Sequence, residues 1–207
     1  MECCKNRENV IKQFYKQYNG FRCRFQKVSS EIKNELFSKY CTSFYGVQLC
    51  DLQKLSKLHT SHRKCLRKVW DLPNRTHNVI LPGLSGQLCS SHMCSKRFLK
   101  YAKLALEHDF PAVQYVFKNS LKQRNSIFKR NMNFCGDALR MNIDDMIAGD
   151  VTYLTQKLCR TCQETCQKPH IVLTYTISEL VAVRDSLSIC VLTRTEAKVL
   201  LNELCIN

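Results

Sequence analysis

The chain has 207 residues and a net charge of +15, with 44% hydrophobic and 24% charged residues, fourteen Cys, six Gly and four Pro. A chain of this length buries roughly 70% of its extended surface on folding, so neither a disordered polar chain nor a small disulfide-stapled scaffold fits the composition. The charge is lopsided: residues 142–207 hold 6 Lys+Arg against 8 Asp+Glu, leaving 26 against 9 in residues 1–141, which makes a polyanion the expected partner of the N-terminal two thirds.

The start, MECCKNRENVIKQFYKQYNG, has no apolar run of signal-peptide length, and no 18-residue apolar stretch follows. A soluble, intracellular chain with no membrane partner, nuclear or cytoplasmic, is therefore expected. In that reducing setting the cysteines are thiols, metal ligands or small core residues.

Val10 to Tyr18 carries apolar residues at 10, 11, 14, 15 and 18, a helical stripe that Asn19-Gly20 is expected to end. Ser29 or Ser30 then caps a helix with Glu31 in its first turn, and Ile32, Leu36, Phe37, Tyr40, Cys41 and Phe44 continue one face to Gly46. Between Asp51 and Asp71 there is no acidic residue, while Lys54, Lys57, Arg63, Lys64, Arg67 and Lys68 alternate with Leu55, Leu58, Cys65, Leu66, Val69 and Trp70. The spacing predicts a helix with one docking side and one cationic side, broken near Thr60-Ser61.

Leu72-Pro73 stops that helix, Asn74 to His77 form a polar turn, and Pro82-Gly83 with Ser85-Gly86 predict a loop. Gln87 to Glu107 reads as a long helix that buries Leu88, Phe98, Leu99, Tyr101, Ala102, Ala105 and Leu106 and turns Lys96, Arg97, Lys100 and Lys103 outward. Pro111 opens a helix with Val113, Val116 and Phe117 inward; another follows Ser126 with Ile127, Phe134, Cys135, Ala138 and Leu139. Asp150 caps a helix over 151–166, Ile171 to Ile177 is the single strand-like run, and Ser178 and Thr193-x-x-Glu196 start two last helices. The expected fold class is mainly α, an irregular multi-helix array with at most one short strand-like segment near 171–177. Residues 1–108 form a basic region and 109–207 a C-terminal helical region, separate or continuous.

Residues 36–52, LFSKYCTSFYGVQLCDL, with Arg63-Lys64, Leu72-Pro73-x-Arg75-Thr76-His77 and Lys96-Arg97-Phe98-Leu99-Lys100, resemble the region downstream of the polymerase core in non-LTR (LINE-type) retrotransposon reverse transcriptases. Similarity extends to Phe14-Tyr15 and Phe25 on one side. On the other it reaches Glu179-Leu180, Arg184-Asp185, Leu192, Glu196 and Leu204-Cys205, so it covers nearly the whole chain. The sequence departs from the pattern in two places: Cys50 stands where the family has Trp, and Ser61-His62 stand where a Trp precedes the Arg-Lys pair. A core repacked around smaller groups is the expectation.

The resemblance implies a thumb and post-thumb region that grips RNA or an RNA–DNA duplex and works beside an upstream polymerase domain of the parent protein. Lys64, Arg67, Lys68, Arg75, His77, Lys96, Arg97 and Lys100 are the residues expected to meet nucleic-acid phosphates. No catalysis is expected. The family's polymerase site needs two aspartates after an aromatic-x pair to hold two Mg2+ ions, whereas Asp144-Asp145 follows Asn142 and reads as the acidic first turn of a short helix.

Cys159-x2-Cys162-x3-Cys166-x3-His170 offers four zinc-binding side chains, but on one helix they spread over about 16 Å. They form a small Zn2+ site only if the chain folds back at Pro169, and otherwise are small buried thiols. Cys89-x2-His92-x-Cys94 is a weaker set of the same kind inside a helix. The reading opposed to nucleic-acid binding is a structural or interaction remnant, with or without that zinc site. A thiol enzyme would need a Cys of strongly lowered pKa in a cleft with a His.

Overall fold

The computed structural model describes residues 2–74, 76, 78, 80–162 and 164. They form α1 (Glu2–Arg24), α2 (Ser30–Cys41), α3 (Ser56–Val69), α4 (Ile80–Ser85), α5 (Ser90–Leu106), α6 (Pro111–Lys122), α7 (Ile127–Leu139), α8 (Ile143–Ala148) and a ninth helix, α9, over 151–162. Single 3-10 turns at Val47–Leu49 and Leu52–Lys54 join α2 to α3. The protein is mainly helical, with no strand among the described residues. The strand-like run at 171–177 and the last two expected helices lie outside them.

One contiguous cluster of buried apolar side chains runs from Val10 in α1 to Leu158 in α9. At one end Phe14, Tyr18 and Phe21 of α1 meet Phe37 of α2 with ring centroids 6.0–6.4 Å apart. At the other end Phe98 of α5, Phe128 of α7 and Phe117 of α6 form a chain with successive centroids 5.5 and 5.0 Å apart. Between them α5 packs on α3, α6, α7 and the 3-10 turns.

Several expected boundaries move, each for a local reason. Helix α1 runs through Asn19-Gly20 to Arg24, because the buried spacing Val10, Phe14, Tyr18, Phe21 never loses step. A mid-helix Gly costs about 1 kcal/mol, less than the roughly 2–3 kcal/mol from burying Phe21. Helix α2 ends earlier than expected, at Cys41, because Phe44 (φ 39°) and Gly46 (φ 80°) take left-handed backbone. Those two turns drop the Phe44 ring and Val47 into the core. Ile32 and Tyr40, expected on the docking face, are exposed.

The break expected at Thr60-Ser61 falls instead at Leu55. Asp51 caps the preceding turn by accepting from Gln53 N, while Ser61 Oγ donates to Lys57 O within an unbroken helix and accepts from Tyr15 Oη at 2.8 Å. The loop expected at Pro82-Gly83 is part of α4; proline in a first helical turn removes only an N–H that has no intrahelical partner. Helix α5 starts at Ser90 rather than Gln87. Pro111 does open α6, although Val116 points to solvent, and Asp150 caps α9 by accepting from the N–H groups of Thr152 and Tyr153.

The two residues around which a repacked core was expected are both buried. Cys50 is fully buried beneath α5, and the imidazole of His62 lies among Phe14, Phe37 and Phe44 at centroid distances of 6.2, 5.5 and 5.7 Å. Its Nε2 has no hydrogen-bond partner among the described residues, so His62 serves as a neutral aromatic ring. A polar pin holds the middle of the molecule: Asn131 of α7, wholly buried, donates from Nδ2 to Cys50 O (2.8 Å) and accepts at Oδ1 from Leu52 N (2.9 Å).

Asn131→Ala strands two buried backbone groups and is expected to cost about 2–4 kcal/mol in urea denaturation. Burial is the main influence that pushes His62 down to about 4 from 6.5. The unfolded chain therefore takes up this proton near pH 6.5 and the folded chain only near pH 4, so stability falls with pH through that window and levels off below it. The loss expected from this group between pH 7 and pH 5 is about 2 kcal/mol, most of which should disappear in His62→Phe.

Candidate nucleic-acid interface and thiol cluster

Helix α3 is amphipathic. Leu58, Cys65, Leu66 and Val69 are buried, as expected, while Lys57, Lys64 and Lys68 lie two turns and then one turn apart on the exposed side. On α5, Arg97 and Lys100 are exposed one turn apart and Lys96 is half-buried beside them. Arg97 Nη2 also donates to Thr42 O at 3.2 Å, joining that stripe to the end of α2. Ion pairs among the described residues take Lys54, Lys103 and Arg130, and none of these six cations.

Other predicted cations face inward. Arg67 is buried: its Nε and Nη2 donate to Thr76 O at 3.0 and 2.8 Å, and Nη2 also reaches Asn78 Oδ1. Its fork holds one buried chain carbonyl and fixes the turn after Pro73, so it is not part of the exposed stripe. Lys103, expected outward, donates to Ile147 O and Gly149 O and pairs with Glu107, tying α5 to the end of α8. Arg75 and His77 lie outside the described residues. Asp144-Asp145 is the first turn of α8, capped by Asn142, whose side chain accepts from Asp145 N at 2.7 Å.

The zinc-type residues are redistributed. Cys162 is buried on the stripe of Leu154 and Leu158, Cys159 is half-buried beside it, and Cys166 and His170 lie outside the described residues. Cys94, from the weaker motif, points into the core. Yet the other two members of that motif meet Cys162: Cys89 Sγ is 2.6 Å from His92 Nδ1 and 3.7 Å from Cys162 Sγ. All three ligand atoms lie within 4.8 Å of one another. The sequence motif placed these residues in two separate sets because spacing along one helix cannot show which turn of another helix packs against it.

Cys89 is held well below the ordinary thiol range, chiefly by the hydrogen bond from Cys162 and further by His92, against the opposing effect of burial. It lies on the wall of a cavity of about 250 Å³ shared with His59, Arg63, Asn78 and Pro82. Across that wall His59 Nδ1 meets Ser90 Oγ at 3.0 Å. A low-pKa thiol, a histidine and a cleft, the combination a thiol enzyme requires, thus coincide here.

The chain matches none of the protein-family models, curated proteins or solved structures with which it was compared. No helix among the described residues is long and apolar enough to cross a membrane.

The different settings of the cations predict different outcomes. Arg67→Ala should destabilise the fold by about 2 kcal/mol, because it removes charge-assisted bonds to a buried carbonyl. Lys64→Ala and Lys68→Ala should stay within about 0.5 kcal/mol of the parent chain. Urea denaturation of the three variants measures this.

Proposed function

We propose that the chain is the non-catalytic thumb and post-thumb portion of a LINE-type reverse transcriptase, gripping RNA or an RNA–DNA duplex by its phosphates beside the parent protein's polymerase domain. The observation that carries this reading is the exposed stripe of Lys57, Lys64 and Lys68 on a helix whose opposite face is locked in the core. A rigid row of cations, spaced by helical turns and uncommitted to acidic partners among the described residues, suits a polyanion backbone. Arg97, Lys100 and half-buried Lys96 add a second row. The +17 balance of residues 1–141 agrees with it.

The family likeness of Ser43-Phe44-Tyr45-Gly46 and Lys96 to Lys100 supports the same reading. In the fold Phe44 anchors that motif among the core rings, while Tyr45 stands 83% exposed, an aromatic face free to stack on a base. Arg67 leaves the contact set and serves the turn. Contacts of this kind position a duplex without reading its sequence.

Binding to an RNA–DNA hybrid should weaken linearly in log Kd against log salt, and the triple variant Lys64→Ala, Lys68→Ala, Lys100→Ala should lower that slope by about 3. The loss should be equal for unrelated sequences. A flat salt response, or a slope untouched by the triple variant, rules the reading out.

A further inference from the structure

The thiol cluster joins two helices that are remote in sequence, and its donors have the softness and the spacing of a metal site. We propose that Cys89, His92 and Cys162 bind one Zn2+ ion that ties the start of α5 to the end of α9. With Zn–S bonds of about 2.3 Å and Zn–N of about 2.0 Å, a tetrahedral ion sets its sulfurs about 3.8 Å apart and sulfur to nitrogen about 3.5 Å apart. The two sulfurs already stand 3.7 Å apart. The His92 ring, now 2.6 Å from Cys89 Sγ, needs to retract by about 1 Å, and it is a half-buried side chain on a first helical turn.

Charge favours the same ion. Two thiolates and a neutral imidazole around Zn2+ make a neutral unit, which a site enclosing the 2%-exposed Cys162 tolerates far better than a bare thiolate pair. Binding takes both cysteines as thiolates, releases to solvent any protons that they and the imidazole still carry, and leaves the fourth position for water. The cavity beside Cys89 is the route of entry.

The neighbouring thiol also weighs against a nucleophile. An acyl group on Cys89 would pass by thiol exchange to Cys162 Sγ, 3.7 Å away, and a mixed disulfide or sulfenic acid there would be displaced by that sulfur, expelling a thiol or water as the Cys89–Cys162 disulfide forms. The two sulfurs are too far apart to be bonded now, since a disulfide spans about 2.05 Å. This inference does not depend on nucleic-acid binding.

The test is metal analysis of the full chain, purified under reductant, loaded with Zn2+ and dialysed against a weak chelator, together with the absorption spectrum of its Co2+ form. One equivalent of zinc and the intense visible bands of tetrahedral thiolate-bound cobalt are expected. Cys89→Ser should lose both, with affinity falling by more than the roughly 10- to 100-fold typical of losing an outer-shell partner. Serine is a favoured N-cap and Cys89 is the N-cap of α5, so circular dichroism should show the helix intact. His92→Cys should keep the metal and strengthen the sulfur-to-cobalt charge-transfer band, and Cys159→Ser should change nothing. A chain that takes up no zinc overturns the proposal. So does zinc that survives Cys89→Ser, which would place the ion on a different thiol set, and so does a Cys89–Cys162 disulfide persisting in reductant.

Discussion

Three phenylalanine rings closing on one imidazole decide how the N-terminal half is assembled. Phe14 comes from α1, Phe37 from α2, Phe44 from the left-handed turn after it, and all three pack on His62 of α3. Only with that face of α3 held inward does the opposite face, with Lys57, Lys64 and Lys68, acquire a fixed direction. The cationic stripe is thus a by-product of an aromatic contact. An imidazole holds this contact because three aromatic rings pack on it, and because a neutral imidazole can be packed much as a phenyl ring can. The cost is the unbonded Nε2, which ties the core to acidity as an all-carbon ring would not.

The second half depends on polar rather than aromatic fixing. Asn131 holds the backbone between the two 3-10 turns, and Asp51 at the same place accepts from Gln53 N and pairs with Arg130 of α7 at 3.2 Å. Lys103 performs a similar service at the far end of α5 by gathering the carbonyls that end α8. Irregular connections of this kind leave backbone groups that no helix satisfies, and buried side-chain amides and cations take them up. That is how so irregular a set of helices keeps a single continuous core.

The helices themselves were legible because their apolar spacing is strong: Leu58, Cys65, Leu66 and Val69 on α3, Phe98, Leu99 and Ala102 on α5, and Cys135 and Leu139 on α7 are all buried as their periodicity requires. Ends were less legible. Gly20 and Pro82 are breakers in isolation, yet neighbouring burial and a first-turn position overrode them. Among the cations, charge alone could not separate Lys64 and Lys68 from Arg67 and Lys103, because all four occur within amphipathic patterns and only the location of unpaired carbonyls draws two of them inward. The thiol cluster was half legible: each residue stood out for its chemistry, but the pairing of Cys89 with Cys162 arises from the packing of α9 on the core through Leu154 and Leu158.

Burial also divides the sulfur chemistry of a chain that carries fourteen cysteines. Cys41, Cys65, Cys94 and Cys135 are each pushed up to about 12 by loss of solvent, so near neutrality they stay protonated, and their enclosure keeps oxidants and alkylating agents away. Cys23 stands in solvent and Cys89 at a cavity wall. Among the described cysteines oxidative injury therefore has few entry points while the fold holds, and the same chain, once opened, exposes a crowd of thiols able to cross-link at random. Folding is what makes these four enclosed thiols chemically quiet.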